Sequence, residues 1–316
     1  MRVNLCTNLD NGVGLEQDYK MLRALLESWG HKVEGVHYKR IDAGCPRADL
    51  NIFLEVIPSA MFPFAKQQWL IPNPEWFAEW DNSAIMPKID KILCKTHDAV
   101  RIFKELYPDL QNRVEYIGFE SRDLYDPSIP RIRKFLHVAG QSRYKNSPAV
   151  AYCFAKCFDD YDPKERLDLV FVGAYPEDCA FAKDAKNVQY IQRASDAQMK
   201  QLLNECQFHI IPAGAEGYGH IIHEGLAVGA VVITTDFPPM NEFGTPKELL
   251  VRYQRDIQEL SARRALVGAY EVREGVEKAW KLSADKIAQY SAEARSTFLA
   301  DREFFRNKFK SIVGVA

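Results

Sequence analysis

Short apolar runs alternate along this chain with segments whose apolar residues recur every three or four positions, a pattern that predicts strands and helices in turn. Val3 to Cys6 predicts the first strand. Glu16 to Trp29 predicts the first helix, with Tyr19, Leu22, Leu25 and Leu26 on one face and Gly30 as its stop. Val33 to Val36, Leu50 to Val56, Trp69 to Ile71 and Lys91 to Cys94 predict further strands, then a helix from about His97 to Leu106 and a strand from Val114 to Ile117. The segment from Gly118 to Pro130 has no period, contains Pro127 and Pro130, and predicts a connection between domains. A second series begins at Lys134, with strands predicted at Phe135 to Val138, Leu167 to Val172, Val188 to Tyr190, Phe208 to Ile211 and Val231 to Thr235. A helical stretch from Ala284 to Ile312 carries Phe298, Phe304, Phe305 and Phe309. The expectation is an α/β fold of two doubly wound, Rossmann-like domains facing a central cleft, since ligands in open α/β sheets bind beyond the strand carboxyl ends.

Composition narrows this only slightly. A chain of 316 residues with 47% hydrophobic content can fill two cores, and a net charge of −2 gives no general attraction to nucleic acid or anionic lipid. The seven cysteines include no Cys-x-x-Cys pair, which argues against a disulfide framework and a zinc ribbon and leaves Cys153 and Cys157 as buried thiols on one helix face. No apolar stretch approaches the ~20 residues of a spanning helix, and the N-terminus enters a strand with no secretory h-region. A cytoplasmic protein is expected, with peripheral attachment to a membrane left open. There is no internal repeat or low-complexity tract.

The chemistry concentrates between Glu216 and Asp236, EGYGHIIHEGLAVGAVVITTD, which follows one predicted strand and runs through the next, and reads as a glycine-rich turn opening a helix. Gly217 and Gly219 lack a Cβ, so their backbone can approach a bulky anion, and the first N–H groups of a helix have no intrahelical acceptor. Glu216 stands just before the predicted helix and Glu224 about two turns into it. Carboxylates repel phosphate but accept well from hydroxyls, so a phosphate flanked by two sugars, a nucleotide sugar, fits the layout. The plainer alternative is that Gly225, Ala227 and Gly229 pack a helix on its sheet and the glutamates are solvated.

This segment resembles the Glu-x7-Glu signature of retaining family 4 glycosyltransferases, which have the GT-B fold. The resemblance implies that Glu216 contacts donor-sugar hydroxyls, that Glu224 holds the nucleotide ribose, and that the backbone of Gly217, Tyr218, Gly219 and His220 binds the diphosphate. His220 replaces a residue that is often apolar in the family, and His223 is also unusual. The run from His137 to Asn146, HVAGQSRYKN, resembles the family's Gly-Arg…Lys-Gly segment: Gly140 and Lys145 match, Gln141 stands where the Arg is usual, and Arg143 is displaced by two positions. Gly173 and the Tyr190 to Arg193 turn, including Ile191 and Arg193, resemble the segments that frame the base. The loop with Gly12, Val13 and Gly14 follows the first strand and is placed to meet the donor phosphate or the acceptor; Gln17 departs from a dinucleotide G-x-G-x-x-G. The resemblance covers nearly the whole chain and implies an acceptor-side domain at 1–130, a nucleotide-sugar domain at 131–296, and a C-terminal helix, about 297–316, packing back on the first.

Acceptor recognition is then expected in the first domain. Pro72-Asn-Pro-Glu-Trp-Phe77 forms a Pro-fixed turn that presents Asn73 and Glu75, with Trp76 and Phe77 available to stack on a sugar or to fill the core. Glu55 ends the third strand. His97, at a strand-to-helix turn, is a catalytic candidate beside Glu216 and Lys145, and Thr96 is the natural N-cap there. The expected reaction is transfer of a hexose or pentose from a nucleotide sugar, with retention and without metal or other cofactor, as the resemblance implies. The acceptor is left open among a glycan, a lipid, a small molecule and a modified nucleic acid. Alternatives are an epimerase or phosphorylase on the same fold, a sugar-nucleotide-binding protein without turnover, and a metal enzyme using His220, His223, Glu216 and Glu224, whose His-x-x-His-Glu order matches no common zinc motif.

Overall fold

The computed structural model describes residues 1–9, 12, 14–140, 142–158, 166–173, 183 and 185–314. It divides into two compact units, one of Met1–Phe119 with 258–263 and Phe304–Ala316, the other of Glu120–Ile257 with Arg264–Glu303. Val13 and Gln141 lie outside the described residues.

The first unit is built on six parallel strands, β1 (Arg2–Thr7), β2 (Lys32–His37), β3 (Leu50–Leu54), β4 (Gln67–Ile71), β5 (Lys91–Cys94) and β6 (Val114–Tyr116), in the spatial order β2-β1-β3-β4-β5-β6. The order reverses direction between β1 and β3, which makes their carboxyl ends the switch point of the sheet. Helix α1 (Gly14–Ser28) buries Leu15, Leu22, Leu25 and Leu26. Gly30 ends the turn at φ +82°, which lets the His31 N–H reach the Leu26 carbonyl at 3.1 Å. A short helix α2 (Glu79–Asn82) precedes α3 (His97–Leu106), whose N-terminus is closed by Thr96, its hydroxyl accepting from the Ala99 N–H at 3.1 Å. Phe77 is buried against Phe103, 4.8 Å between ring centres, and is therefore core rather than a sugar platform.

The second unit has the strands β7 (Ile132–Gly140), β8 (Leu169–Gly173), β9 (Val188–Ile191), β10 (Cys206–Ile211), β11 (Val231–Thr235) and β12 (Leu250–Val251). All are parallel, in the order β12-β11-β10-β7-β8-β9, so the switch point falls between β7 and β10. Its helices are α4 (Ser147–Lys156), α5 (Asp196–Glu205), α6 (His220–Ala227) and α7 (Ala269–Trp280). One face of the sheet buries Phe135, Phe154, Phe171, Phe208 and Val272, the other Leu136, Val170, Leu203, Ile222 and Phe298. Burial on both faces is why β8, β10 and β11 read as continuous apolar runs instead of alternating ones.

One feature lies outside the sequence pattern, and a second, the C-terminal helix, follows it. A hairpin of β13 (Arg255–Glu259) and β14 (Ala262–Leu266) consists mostly of polar and charged residues, and its tip belongs to the first unit. The long helix α8 (Ala284–Val313) begins in the second unit and ends in the first, where Phe305 and Phe309 are buried against Phe119 and Trp29 at 4.9 and 6.0 Å. Cys153 is buried in α4 as a free thiol, and Cys157, just past its end, is half-buried.

Candidate functional site

The switch point of the second sheet gathers the residues on which the phosphate-and-hydroxyl reading rests. β7 ends at Gly140, in the left-handed region at φ +61°, after a register irregularity between Val138 and Gly140. The chain then makes a short 3-10 turn, Arg143–Lys145, capped by the Ser142 hydroxyl, which accepts from the Tyr144 N–H. Asn146, left-handed at φ +49°, donates its side-chain amide to the Pro212 carbonyl at 2.8 Å. The Gly214 N–H donates to the Tyr144 carbonyl at 2.6 Å. Those two bonds tie the loop after β7 to the loop after β10. A Cβ on Gly214 would stand 2.2 Å from the Ala265 carbonyl, so only glycine lets β14 close on this junction.

The tie brings Lys145 and Glu216 together. Lys145 donates to Glu216 Oε1, and both side chains are largely buried, at 11% and 14% exposure. Removing either would leave the other's charge poorly solvated, so the pair is held by mutual need as well as by the loops. Gln141 cannot be compared because it lies outside the described residues; Arg143 is exposed at the start of the same turn.

Helix α6 starts later than its glycines suggest. Gly219, left-handed at φ +78°, is the N-cap, so Glu216 precedes the helix by a turn of chain and Glu224 is its fifth residue, not two turns in. Gly217, Tyr218 and Gly219 are buried in that approach. The His223 ring is buried, stacks on Tyr218 at 3.9 Å, lies 4.6 Å from Phe243, and shares a hydrogen bond with the Gly219 carbonyl through Nδ1 at 3.1 Å. Since a carbonyl only accepts, Nδ1 carries the proton. Burial pushes its pKa down to about 3, and the ring acts as a neutral brace for the turn. His220 is half-buried and pairs with the Ser121 hydroxyl through Nδ1 at 2.7 Å.

Glu224 is 3% exposed and its Oε1 accepts from Arg122 Nε at 2.7 Å. Arg122 and Ser121 fall in the segment read from sequence as a bare connection, and nothing local marks them. The only sequence clue was indirect: a carboxylate inside a helix of apolar residues needs a cation from elsewhere. His137, wholly buried in β7, donates from Nδ1 to the Ile210 carbonyl at 2.7 Å and accepts at Nε2 from the Ser147 hydroxyl at 2.8 Å, joining β7, β10 and α4. Burial lowers its pKa to about 4.

On the same carboxyl edge, Gly173 ends β8 and its carbonyl accepts from Tyr190 Oη at 3.0 Å; Ile191 ends β9 and Arg193 is exposed two residues on. In the first unit, Gly12 is left-handed at φ +66° and its N–H donates to Glu16 Oε2 at 3.0 Å, while Gly14 opens α1. Asn73 Nδ2 donates to Glu55 Oε2 at 2.8 Å, Glu75 is buried nearby in sequence, and Trp76 is half exposed. His97 belongs to this unit too, with its exposed ring stacked on Tyr116 at 3.9 Å. Among the described residues no group of three or more His, Cys, Asp or Glu side chains is arranged to hold a metal ion, and no helix is long and apolar enough to cross a membrane.

Residues 135–274 match the family model described as glycosyl transferases group 1, a span that contains Lys145, Glu216 and Glu224. No curated protein matches the sequence. Among solved structures, a glycosyltransferase from Rickettsia africae is 14% identical with a TM-score of 0.73 over 100% of this chain and 99% of its own. WaaG, a glycosyltransferase involved in lipopolysaccharide biosynthesis, is 14% identical with a TM-score of 0.68 over 99% of this chain and 100% of its own. Anabaena Alr3699/HepE, solved with UDP and glucose, is 13% identical with a TM-score of 0.70 over 99% of both chains. The fold is the GT-B arrangement of two parallel-sheet, Rossmann-like domains.

Proposed function

We propose that this chain is a glycosyltransferase that moves a sugar from a nucleotide-sugar donor to an acceptor hydroxyl, with the donor held by the second unit. The observation that carries the reading is the Lys145–Glu216 pair at the β7–β10 switch point, inside the span that matches the glycosyl transferases group 1 model. A cation and a hydroxyl acceptor standing together there suit a ligand whose phosphate adjoins a sugar.

The chemistry follows from the charges that develop. The bond from the sugar's anomeric carbon to the diphosphate breaks, leaving positive charge on the sugar and negative charge on the phosphate oxygen. Lys145 and the backbone at the start of α6 are preorganised donors for the latter. Lys145 donates to Glu216 in the structure; with donor bound, Glu216 accepts from sugar hydroxyls and Lys145 turns to phosphate. Glu224, fixed by Arg122, accepts from the ribose. We further propose retention of configuration without a metal ion: the acceptor oxygen attacks from the face that the diphosphate leaves, and the leaving phosphate oxygen takes the acceptor's proton, so no side-chain nucleophile is required.

A thermal-shift screen of UDP-, GDP-, ADP- and dTDP-sugars tests donor binding; a ligand at ~100 times its Kd adds about 2.7 kcal/mol. A shift with one base and sugar, followed by acceptor-dependent release of the nucleotide, supports transfer over epimerisation or simple binding. No shift with any nucleotide sugar would remove the reading.

A further inference from the structure

At the amino ends of the first unit's strands, the edge opposite its switch point, lies a cavity of about 130 Å³ that the transferase reading does not use. Arg2 and Asn4 from β1, Lys32 and Glu34 from β2, and Pro46 and Arg47 from the chain leading to β3 line it. Register sets the first four on one face, since Arg2 stands opposite Lys32 and Asn4 opposite Glu34. Asn4 is 1% exposed, whereas the charged residues around it are all exposed. Their charges do not cancel. Three cations meet one carboxylate, and the Lys32–Glu34 contact, at 4.0 Å, is loose and solvated. Asp49, the nearest acid in β3's approach, accepts from the Arg2 backbone N–H at 2.9 Å.

Asn4 is also the end of a chain of buried amides. Asn4, Asn51 and Gln68 are partners in register across β1, β3 and β4. Asn4 Nδ2 donates to Asn51 Oδ1 at 3.0 Å, and Asn51 Nδ2 to Gln68 Oε1 at 2.9 Å. The remaining donors go to carbonyls: Asn4 to Pro46 at 2.9 Å, Asn51 to Met61 at 2.8 Å, and Gln68 to Ala65 at 2.9 Å and Phe62 at 3.3 Å. Every side-chain N–H of the three amides is therefore committed. The oxygens of Asn51 and Gln68 each accept from the preceding amide, but Asn4 Oδ1 has no partner among the described residues. A flipped Asn4 would set its oxygen against the Pro46 carbonyl and Asn51 Oδ1, so the open group is an acceptor and its orientation is fixed. Donating twice polarises the amide and makes that oxygen a stronger acceptor. None of the three cations fills it, so a ligand has to bring the donor.

We propose that this cavity binds a small phosphate monoester that carries a neighbouring hydroxyl group. The hydroxyl donates to Asn4 Oδ1, and the phosphate lies among Arg2, Lys32 and Arg47. A phosphate monoester carries about −1.5 to −2 charges at pH 7, which the excess of cations matches better than it matches a single carboxylate. The two guanidinium forks present paired N–H donors to its oxygens. Glu34 repels a second anionic group and accepts from a further hydroxyl, so the rest of the ligand is a polyol. Its size is bounded, because the volume is close to the ~150 Å³ of a cavity that admits benzene: a body like glycerol fits and a nucleotide does not. The site belongs to the first unit alone and is independent of the transferase reading.

Calorimetric titration of the full chain with glycerol 3-phosphate, inorganic phosphate and glycerol tests this. Glycerol 3-phosphate is expected to bind, inorganic phosphate to bind ~10-fold more weakly or worse for want of the hydroxyl, and glycerol not to bind. Lys32→Glu and Arg47→Glu change exposed side chains and leave the core intact; each should weaken glycerol 3-phosphate by ~10-fold or more while the thermal shift with nucleotide sugar stays as it was. Asn4→Leu removes the open acceptor and should hold glycerol 3-phosphate no more tightly than inorganic phosphate. Where that variant does not fold, the comparison of the two phosphates on the unmodified protein decides the role of Asn4. Sedimentation with phosphatidylcholine vesicles containing phosphatidic acid separates the sources of the monoester: binding that both charge reversals abolish supports the site with a lipid headgroup as its ligand, and binding of the soluble ester alone supports it with a free metabolite. No binding of glycerol 3-phosphate, equal affinity for inorganic phosphate, or unchanged affinity in both charge-reversed variants would overturn the inference. Failure of every nucleotide sugar to bind is a separate outcome, because it strikes the transferase reading through the second unit.

Discussion

At the scale of single residues, the Lys145–Glu216 pair has two roles that mutation can separate. Each partner alone is largely buried, and truncating one member of a buried pair typically costs about 3–5 kcal/mol, so loss of activity in a single variant mixes catalysis with stability. Lys145→Met and Glu216→Gln are each expected to lower the melting temperature and to reduce turnover by at least ~100-fold, for Lys145 as the usual effect of losing a preorganised donor to a leaving oxyanion and for Glu216 through loss of the acceptor that orients the sugar. Combining them removes both charges at once. The double variant should regain most of the lost stability and none of the activity, as read by calorimetry beside nucleotide release. Recovery of turnover would assign the pair to structure alone.

The buried histidines make a second residue-scale prediction. His137, His209 and His223 are each 2% exposed or less, and burial lowers their pKa values to about 4, 3 and 3. An unfolded histidine titrates near 6.5. Since the folded values lie below the unfolded one, the stabilisation is present above pH ~6.5 and is lost as pH falls toward 4, at about 1.4 kcal/mol per pH unit for each group. The melting temperature should therefore drop steeply between pH 6.5 and 4. His223→Phe keeps the stack between Tyr218 and Phe243 and removes one titration, so its melting temperature should depend less on pH over that window.

At the scale of elements, the sequence disclosed whatever depends on local pattern. The apolar runs gave β1, β5 and β11 nearly residue for residue, and Thr96 gave the start of α3, because burial on two faces and a side-chain cap leave marks in adjacent residues. Helix α6 was displaced. Two glycines and a glutamate precede it, and the pattern does not say which glycine turns left-handed; packing of Gly219 beneath Phe243, 3.1 Å from where a Cβ would stand, decides that. The β13–β14 hairpin was invisible because RDIQE and ARRAL show little apolar alternation, and Ala265 is positioned by Gly214 rather than by its neighbours. Arg122 was missed for the same reason, since its partner Glu224 is distant in sequence. Gly219→Ala tests the α6 start: the left-handed strain of ~1–3 kcal/mol should lower the melting temperature by several degrees, and tilting of the first turn should weaken nucleotide-sugar affinity. Unchanged affinity would mean that the backbone before α6 does not meet the diphosphate.

At the scale of the molecule, the chain leaves its first unit at residue 119 and returns to it through the tip of the β13–β14 hairpin and the end of α8. The end of α8, with Phe305 and Phe309, is therefore core of a unit begun some three hundred positions earlier. Phe309 is fully buried, stacked on Phe305 at 5.5 Å and 6.0 Å from Trp29. Its truncation removes packing from the first unit while leaving the β7–β10 loops untouched. Phe309→Ala should destabilise by roughly 3–5 kcal/mol, the range for a core Phe. Four of the five tryptophans, Trp29, Trp69, Trp76 and Trp80, fall in the first unit and Trp280 in the second, so fluorescence weights the unfolding signal toward the damaged unit. A clear fall in the fluorescence midpoint is expected. At temperatures below that midpoint, binding of a nucleotide sugar, measured by calorimetry, should persist with near-normal affinity, because its proposed contacts all lie in the second unit. Loss of that binding in a variant still folded would show that donor recognition draws on the first unit as well.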